Sequence, residues 1–484
     1  MKIPKKVKTT LESLEKKGFE AFIVGGCVRD ILRGVEPADW DIATNAKPEE
    51  IQTIFPNSFY DNKFFTVKVL TKSKIKNLKE IEITTYRSEA QYKDKRHPSK
   101  IKPAKSIKKD LSRRDFTINA LALGIKENKK QEIIDPFSGQ KDLKTKIIKP
   151  VGEPKKRFSE DALRLLRAVR FAATLGKDWE IENKTKKAIE ENGSLLEVIS
   201  KERIRDEFIK IIMSPQASEG LVLLQKTNLL KYVIPELEEG VGVSQNRHHI
   251  YTIFQHAVLS LKYAAQKNYN LNVRLAALFH DIAKPQAKKG QGPNATFYNH
   301  DVLGAKIATT ILKRLRFPKK TIEKVTTLVK NHMFFYDPEV VTESSVRRLL
   351  KRVGKENIKE LLELRTCDRK GSGVPKARPY RLRYLEYMLA KVSKDPISVQ
   401  MLKINGNDII KLLKIKPSKK IGLLLNALLA EILENPKKNK KDYLQKRTKD
   451  LAKLENKALE ELANKVREKK MEVDQEEKNK FWVK

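Results

Sequence analysis

Residues Ile23–Thr44 read IVGGCVRDILRGVEPADWDIAT, and the fold of the N-terminal region turns on this stretch. Apolar residues run into the Gly25-Gly26 pair, which predicts a buried strand ending in a tight turn. CVRDILRG then has the length of one short helix, and a loop leads to a second strand carrying Asp39 and Asp41. The two glycines leave backbone N–H groups open to a ligand, and the helix start points its positive end at the same spot, which suits a phosphate group. Side chains alternate along a strand, so Asp39 and Asp41 project from one side and Trp40 from the other. Two carboxylates that close repel each other unless a cation lies between them. Mg²⁺ is held by one or two carboxylates plus substrate phosphates, which a triphosphate on the glycine turn would complete. A lone GG or a lone DxD would read as a turn and a solvated strand. Together, in one strand–turn–helix–strand unit, they predict a nucleotidyl-transfer site.

GGCVRDILRG followed by ADWDIAT resembles the signature of the bacterial tRNA nucleotidyltransferase and poly(A) polymerase family, in its class II, HD-bearing form. The head domain of that family is similar to the polymerase β superfamily. Further β signals follow in the first 150 residues: Phe64–Leu70 and Ile81–Thr85 read as strands. Alternation puts Glu80, Glu82 and Thr84 on one face and Ile81, Ile83 and Thr85 on the other. Glu82 is thus either a third acid near the metals or an ordinary exposed glutamate. Ser88–Ser106 is polar, basic and interrupted by prolines, and reads as a mobile loop. The resemblance implies that this loop helps the site switch to adding A. In Asp110–Gly124 (DLSRRDFTINALALG), Arg114, Asp115 and Asn119 fall at an expected helix start. The resemblance assigns them to ribose and nucleotide contacts, Arg114 foremost, whereas Asp115 and Asn119 also suit a helix cap. Asp135–Leu143 is turn-rich and closes the sheet domain, as a hinge by resemblance.

From Val151 the chain turns helical, with no return of alternating strands. In Ser159–Gly176, Leu163, Leu166, Val169 and Ala173 form an apolar stripe at helical spacing. Asp161, Arg164, Arg167 and Arg170 recur about every three residues and share an adjacent face. Such a face is ordinarily a salt-bridged solvent face. Glu160-Asp161-x-x-Arg164 also matches the family's EDxxR motif, which implies that Asp161 and Arg164 read the Watson–Crick edge of the incoming base. An arginine fork donating to cytosine acceptors, with a carboxylate accepting from its amino group, is sound chemistry for that role. Ser200–Met213 resembles a further, supporting helix of the family.

Six of the seven histidines fall between His248 and His332, and only His97 lies outside. His256, His280-Asp281, His300, His332 and Asp368 each lie on or beside an expected helix, and helical bundles build metal sites from facing side chains. The pattern resembles an HD-domain phosphohydrolase, which implies His256, His280, Asp281 and Asp368 as metal ligands. Imidazole and carboxylate suit a divalent transition metal such as Ni²⁺ or Mn²⁺.

Lys and Arg number 101 against 61 Asp and Glu, a net charge of +40, and such a surplus favours a polyanionic partner, RNA first. A lysine-rich composition overall contributes as well. Two cysteines far apart, Cys27 and Cys367, argue against a disulfide framework and for a reducing cytoplasm. Thr9–Lys17 is polar where a signal peptide needs an apolar core, and no apolar run approaches the roughly 18 to 20 residues of a membrane span. From about Gly371 the chain is helical and basic. Leu402–Leu444 resembles the family's tail, which grips the tRNA acceptor and TψC arms. Leu451, Leu454, Ala458, Leu462 and Val466 then make one apolar stripe on a charged helix, which suits packing on the body, with RNA binding as the alternative.

The expected architecture is α+β: a polymerase-β-like head with a small mixed sheet (1–150), a helical neck and body that recognises the base (151–240), an HD domain (241–370) and a basic tRNA-binding tail (371–484). The expected activity is addition of C, C and A from CTP and ATP to tRNA in the cytoplasm. Asp39 and Asp41 would hold Mg²⁺, Gly25, Gly26, Arg29 and Arg114 would bind phosphates and ribose, and Asp161, Arg164, Arg167 and Arg170 would meet the nucleotide. Rival readings are a poly(A) polymerase, a CC-only or A-only enzyme, an HD phosphohydrolase with an RNA-binding head, and a non-catalytic RNA-binding protein.

Overall fold

The computed structural model describes residues 3–61, 65–92, 98–104, 106–125, 131–246, 250–334, 336–375, 378–393 and 399–483. His97, His248 and His249 lie outside the described residues, as does Phe64 at the start of an expected strand. The chain divides into two compact units, Met1–His332 with Glu360–Pro375, and Met333–Lys359 with Lys376–Lys484.

The first unit opens on a mixed α+β head. Its seven-stranded sheet is built from β1 (Ala21–Val24), β2 (Asp41–Thr44), β3 (Ser58–Asp61), β4 (Thr66–Leu70) and β5 (Glu80–Thr85). After the pair β6 (Arg87–Tyr92) and β7 (Pro98–Pro103), β8 (Ala122–Ile125) and β9 (Gln131–Ile134) complete it. The order is β3-β4-β5-β2-β1-β8-β9, with β2 and β5 parallel and the other neighbours antiparallel. β5 alternates as its sequence predicts, with Ile81, Ile83 and Thr85 buried while Glu80 is exposed and Glu82 and Thr84 are half-buried. The inward side chains pack with Val7, Leu11 and Leu14 of the Lys5–Glu15 helix, and with Ile23, Trp40 and Ile42, into one apolar core. Burying such side chains contributes about 1.5–3 kcal/mol each, which fixes the register of β2 and therefore the outward aim of Asp41.

Ser88–Ser106, read from sequence as a loop, instead contains the antiparallel pair β6–β7, with Arg87 opposite Pro103 and Tyr92 opposite Pro98. Both prolines sit at strand ends, where a missing N–H costs the ladder little. Asp135 closes the head as its turn-rich sequence predicts, accepting from the Gly139 and Gln140 N–H groups at 2.7 and 2.9 Å. A Cβ on Gly139 would lie 2.2 Å from the Thr117 carbonyl oxygen, so only glycine allows that helix start to pack there.

Among the described residues beyond the head, the first unit is helical apart from a two-residue strand, Glu180–Ile181, that pairs in parallel with Ile147–Ile148, and an antiparallel bridge between Lys289 and Thr296. Leu163, Leu166, Val169 and Ala173 are buried in the Leu163–Thr174 helix as their spacing predicts. In the second unit the helices Gly406–Leu413, Lys419–Glu434, Lys441–Leu451 and Asn456–Lys480 share a core that includes Leu424, Leu428, Leu444, Leu451, Leu459 and Val466. The single stripe expected from Leu451 to Val466 is broken there. One helix ends at Leu451 and the next starts at Asn456, so Leu454 falls in the connection, 39 % exposed, and Leu459 takes its place in the core. Among the described residues, no helix is long and apolar enough to cross a membrane.

Candidate active site and buried histidine cluster

The Gly25 turn ends β1 with φ +80°, in the left-handed region that favours glycine. A Cβ there would also lie 2.6 Å from Arg114 Nη1 and 3.7 Å from Asp41 Oδ2, so the bare backbone lets a guanidinium and a carboxylate converge over the turn. One expectation is corrected: the Gly25 N–H donates to the Leu121 carbonyl at 3.1 Å, within the sheet region, and is not open to a ligand. The amides that begin the Gly26–Leu32 helix follow it.

Asp39 is exposed in a bend that precedes the strand, Trp40 is buried and Asp41 opens β2 half-buried, so Asp39 does not lie on the strand as expected, although its charge acts on Asp41. Across the sheet Asp41 pairs with Glu82 of β5, and Glu82 pairs with Lys68 of β4, whose ammonium lies 2.9 Å from the Glu82 carboxylate. Burial, then the charge of Asp39, pushes the Asp41 carboxyl up to about 7, with Glu82 adding to the rise and Arg114 opposing it. A half-buried carboxylate facing two others offers hard oxygen donors where negative charge is unfavourable, and this donor set fits Mg²⁺.

Around this face the arginines are held by buried acids. Asp110, 1 % exposed, takes Arg113 at 2.9 Å and Arg114 at 3.4 Å. Burial alone would raise Asp110, but the two guanidiniums outweigh it and hold it lowered. Arg29 donates to Asn119 Oδ1 at 2.7 Å, Asn119 donates to Asp115 Oδ1 at 3.1 Å, and Arg167 Nε donates to Asp115 Oδ2 at 2.8 Å. Asp115 is buried, which would raise it, yet Arg167 and the Asn119 hydrogen bond hold it well below the usual carboxylate range. Asp115 and Asn119 do not lie at an α-helix start as expected; they flank and end the short turn Thr117–Asn119, where Asp115 accepts from the Phe116 N–H.

Asp161, Arg164, Arg167 and Arg170 do not share one continuous helix. Asp161 falls in the break between the Pro154–Glu160 and Leu163–Thr174 helices, accepting from Arg203 at 3.2 Å and from the Leu163 N–H at 3.2 Å. Arg164, 7 % exposed, donates to Glu160 at 3.1 Å and to the Arg113 carbonyl at 3.1 Å. Asp161 and Arg164 thus have separate side-chain partners. Arg170 pairs with Glu207 at 3.0 Å, and burial together with Arg167 lowers it to about 10.

The second cluster is buried among helices. His256 projects from the Ile253–Gln266 helix, and His280 with Asp281 follows the Leu271–Phe279 helix. His300 opens the His300–Arg314 helix, His332 follows the Lys319–Lys330 helix, and Asp368 lies near the end of the Ile358–Gly371 helix. The four expected ligands do come together: His256 Nε2 lies 3.3 Å from both Asp281 Oδ2 and Asp368 Oδ1, and 2.9 Å from His280 Nε2. His300 and His332, which sequence reasoning grouped with them but did not count as ligands, stand at the other oxygen of Asp281, at 3.4 and 3.7 Å. Among the described residues this gives two compact ligand sets, His256–His280–Asp368 and Asp281–His300–His332.

The Nδ1 atoms of His280, His300 and His332 each meet the carbonyl three residues back, at 2.9, 2.6 and 2.7 Å. That contact turns Nε2 inward, as the outer hydrogen bond of a metal-ligating histidine does. Gly371 brings the Asp368 helix close: a Cβ would lie 2.2 Å from Ser260 Oγ and 3.0 Å from the His256 carbonyl oxygen. Burial works against charge on His256, yet Asp281 and Asp368 outweigh it and raise the imidazole to about 9. Four Nε2 donors around two carboxylates fit divalent transition ions.

Three family models match the chain: the poly(A) polymerase head domain over residues 21–149, the probable RNA- and SrmB-binding site of polymerase A over 178–240, and the HD domain over 253–370. A CCA-adding enzyme of Lactococcus lactis subsp. lactis (strain IL1403) is 47 % identical over 235 residues, 48 % of this chain and 56 % of that protein. One from Geobacillus sp. (strain WCH70) is 43 % identical over 224 residues, 46 % of this chain and 53 % of that protein. The chain thus spans about half the length of the curated relatives it matches. The crystal structure of Bacillus stearothermophilus CCA-adding enzyme in complex with CTP superposes with a TM-score of 0.59 at 27 % identity, covering 93 % of this chain and all of that one. The head, with its glycine turn and paired acids, therefore belongs to the poly(A) polymerase head-domain family, and it is followed in this chain by that family's RNA-binding region and an HD domain.

Proposed function

We propose that the chain is a template-independent nucleotidyltransferase that builds or repairs the CCA end of tRNA, taking C, C and A from CTP and ATP in the cytoplasm. The observation that carries this reading is the meeting of Asp41 and Arg114 over the Gly25 turn, with the charge of Asp39 acting on Asp41. Similarity to CCA-adding enzymes supports it. Asp39 and Asp41 would hold Mg²⁺, which when bound supplies charge neutralisation at the triphosphate and a more acidic tRNA 3′-hydroxyl. Gly26, Arg29 and Arg114 hold phosphates and ribose in this scheme. Asp161 and Arg164 choose the base, which requires them to trade Arg203 and Glu160 for the base edge. The divisions 1–150, 151–240, 241–370 and 371–484 are proposed as head, neck and body, HD domain and tRNA-gripping tail. The test is a tRNA transcript lacking its 3′ end, incubated with CTP, ATP or both, with the products sequenced. Addition of CCA upholds the reading, a long A tract selects a poly(A) polymerase, and CC or A alone selects a partial enzyme.

A second activity is favoured by the buried histidine cluster. We infer that its six side chains form two adjacent ligand sets, with the second oxygen of Asp281 reaching His256 and His280 of the other set, and serve a metal-dependent phosphohydrolase. A bound Ni²⁺, Mn²⁺ or similar ion would supply Lewis acidity at a phosphoester and acidify a nearby water. Lys284, at 2.6 Å from Asp281, and Arg365, at 2.6 Å from Asp368, orient the two carboxylates. The substrate is an RNA phosphoester, such as a 2′,3′-cyclic end that must be opened before nucleotides can be added. Opening of a defined 2′,3′-cyclic substrate across a panel of metals tests it, and Asp281→Ala should abolish that activity while leaving nucleotide addition intact.

A further inference from the structure

Phe171 lies on the Leu163–Thr174 helix with only 5 % of its surface exposed, and three guanidiniums gather around its ring. Arg170 stands 4.0 Å from the ring centroid, Arg167 5.3 Å and Arg29 5.4 Å. Phe116 meets the same ring edge-on, at 5.5 Å between centroids and 79° between planes. Each arginine already has a carboxylate of its own: Arg29 has Asp30 at 2.9 Å, Arg167 has Asp115, and Arg170 has Glu207 at 3.0 Å. Charge balance is therefore met without the ring. What the ring adds is orientation.

A guanidinium over an aromatic face is attracted by the ring quadrupole, while its N–H donors stay in its own plane and point away from the ring. Arg29 sends one of them to Asn119, and Arg167 sends two to Asp115. The three arginines come from two places. Arg29 follows the glycine turn of the head, whereas Arg167 and Arg170 belong to the helix that carries Arg164. Phe171 is the surface on which the phosphate side and the base side of the proposed site meet.

We propose that Phe171 is a positioning residue for the incoming nucleoside triphosphate: its ring fixes the planes of Arg29, Arg167 and Arg170 together, and so ties triphosphate binding to base selection. The proposal rests on the nucleotidyl-transfer reading above. A leucine or methionine fills much of the same buried volume but has no quadrupole, and a tyrosine keeps the ring.

The experiment measures KM, kcat and the CTP-over-UTP preference on a truncated tRNA transcript, for the wild type, Phe171→Leu, Phe171→Met, Phe171→Tyr and Phe116→Leu. Thermal unfolding identifies which variants are folded at the assay temperature. Loss of one desolvated cation–π contact predicts that the ring-less Phe171 variants raise the CTP KM roughly tenfold, with kcat within about threefold, and relax base preference. Phe171→Tyr should stay near wild type. Phe116→Leu removes a neighbouring buried ring that none of the three guanidiniums stacks on, and should lower thermal stability without moving KM. The proposal is overturned if a folded ring-less Phe171 variant keeps wild-type KM and preference, or if Phe116→Leu shifts KM equally. A wild type that adds no nucleotide overturns the transfer reading itself, a result separate from either of these.

Discussion

Replacing Asp41 by asparagine removes a carboxylate that burial and the charge of Asp39 push up to about 7. In the folded protein Asp41 titrates near 7, against 3.8 for an ordinary aspartate, a difference of roughly three pH units. Between those values the unfolded chain has lost the proton that the native state keeps. The native state then binds more protons, so stability is full below pH 4, falls as pH rises, and levels off above about 7. At about 1.4 kcal/mol per unit the whole fall is about 4 kcal/mol, an upper figure because the site is partly open to water. The asparagine side chain cannot ionise, so the variant escapes that fall. Metal-free Asp41→Asn should therefore match the wild type in urea unfolding at pH 4 and exceed it by a few kcal/mol at pH 8. Added Mg²⁺ should close the gap at pH 8, because only the native wild-type site offers the paired carboxylates. A difference between the two proteins that stays flat from pH 4 to 8 would refute the claim that Asp41 is ionised at a cost. Failure of Mg²⁺ to stabilise the wild type would refute the metal role of the acids.

Arg164→Ala should relax base selection as well as slow addition, admitting UTP or GTP by on the order of tenfold to a hundredfold, the worth of one bidentate base contact. Unchanged selection at reduced rate would leave Arg164 as the buried partner of Glu160. Gly371→Ala should push the Asp368 helix away from His256 and weaken divalent-metal binding, measured by calorimetry, with nucleotide addition unaffected; wild-type metal affinity would show that the helix can shift without cost. Changing Lys437, Lys438, Lys440 and Lys441 to glutamine should flatten the salt dependence of tRNA binding, since each phosphate contact contributes roughly 0.7–0.9 of a log unit to the slope. An unaltered slope would assign those lysines to composition.

Period-two alternation made the inner half of the head legible. Ile42, Ile81 and Ile83 are buried, and Asp41 and Glu82 pair on the other side, because burial on one side leaves a strand only one register, whereas Asp39 falls in the bend before β2. The same logic fails when composition is read without pairing. Ser88–Ser106 has the residues of a loop, yet its backbone forms β6 and β7, since a hairpin needs only a partner strand. It fails again where periodicity is carried across a helix end: Leu454 keeps the spacing of a core residue but falls between two helices, and Leu459 packs instead.

Charged residues were legible as faces and not as partners. Helical spacing put Asp161 and Arg164 together, but the chain breaks at Asp161, which leaves its carboxylate to Arg203 of another helix and Arg164 to Glu160. No local rule separates those outcomes, because several acids lie within reach of each guanidinium and only the tertiary packing decides which one is closest. The chain from Arg29 through Asn119 and Asp115 to Arg167 has the same origin: its members lie on three segments that the sheet and the neck bring together. His300 and His332 follow the rule in reverse. Each is an ordinary histidine beside an asparagine in sequence, and each joins a ligand set because Asp281 has two oxygens and the four imidazoles divide between them. Without an ion, Lys284 at 2.6 Å and the raised His256 imidazole supply the positive charge that keeps Asp281 buried. Divalent ions binding on both sides of Asp281 would displace that imidazole proton and bind the native state alone, so loading of the site should stabilise the fold.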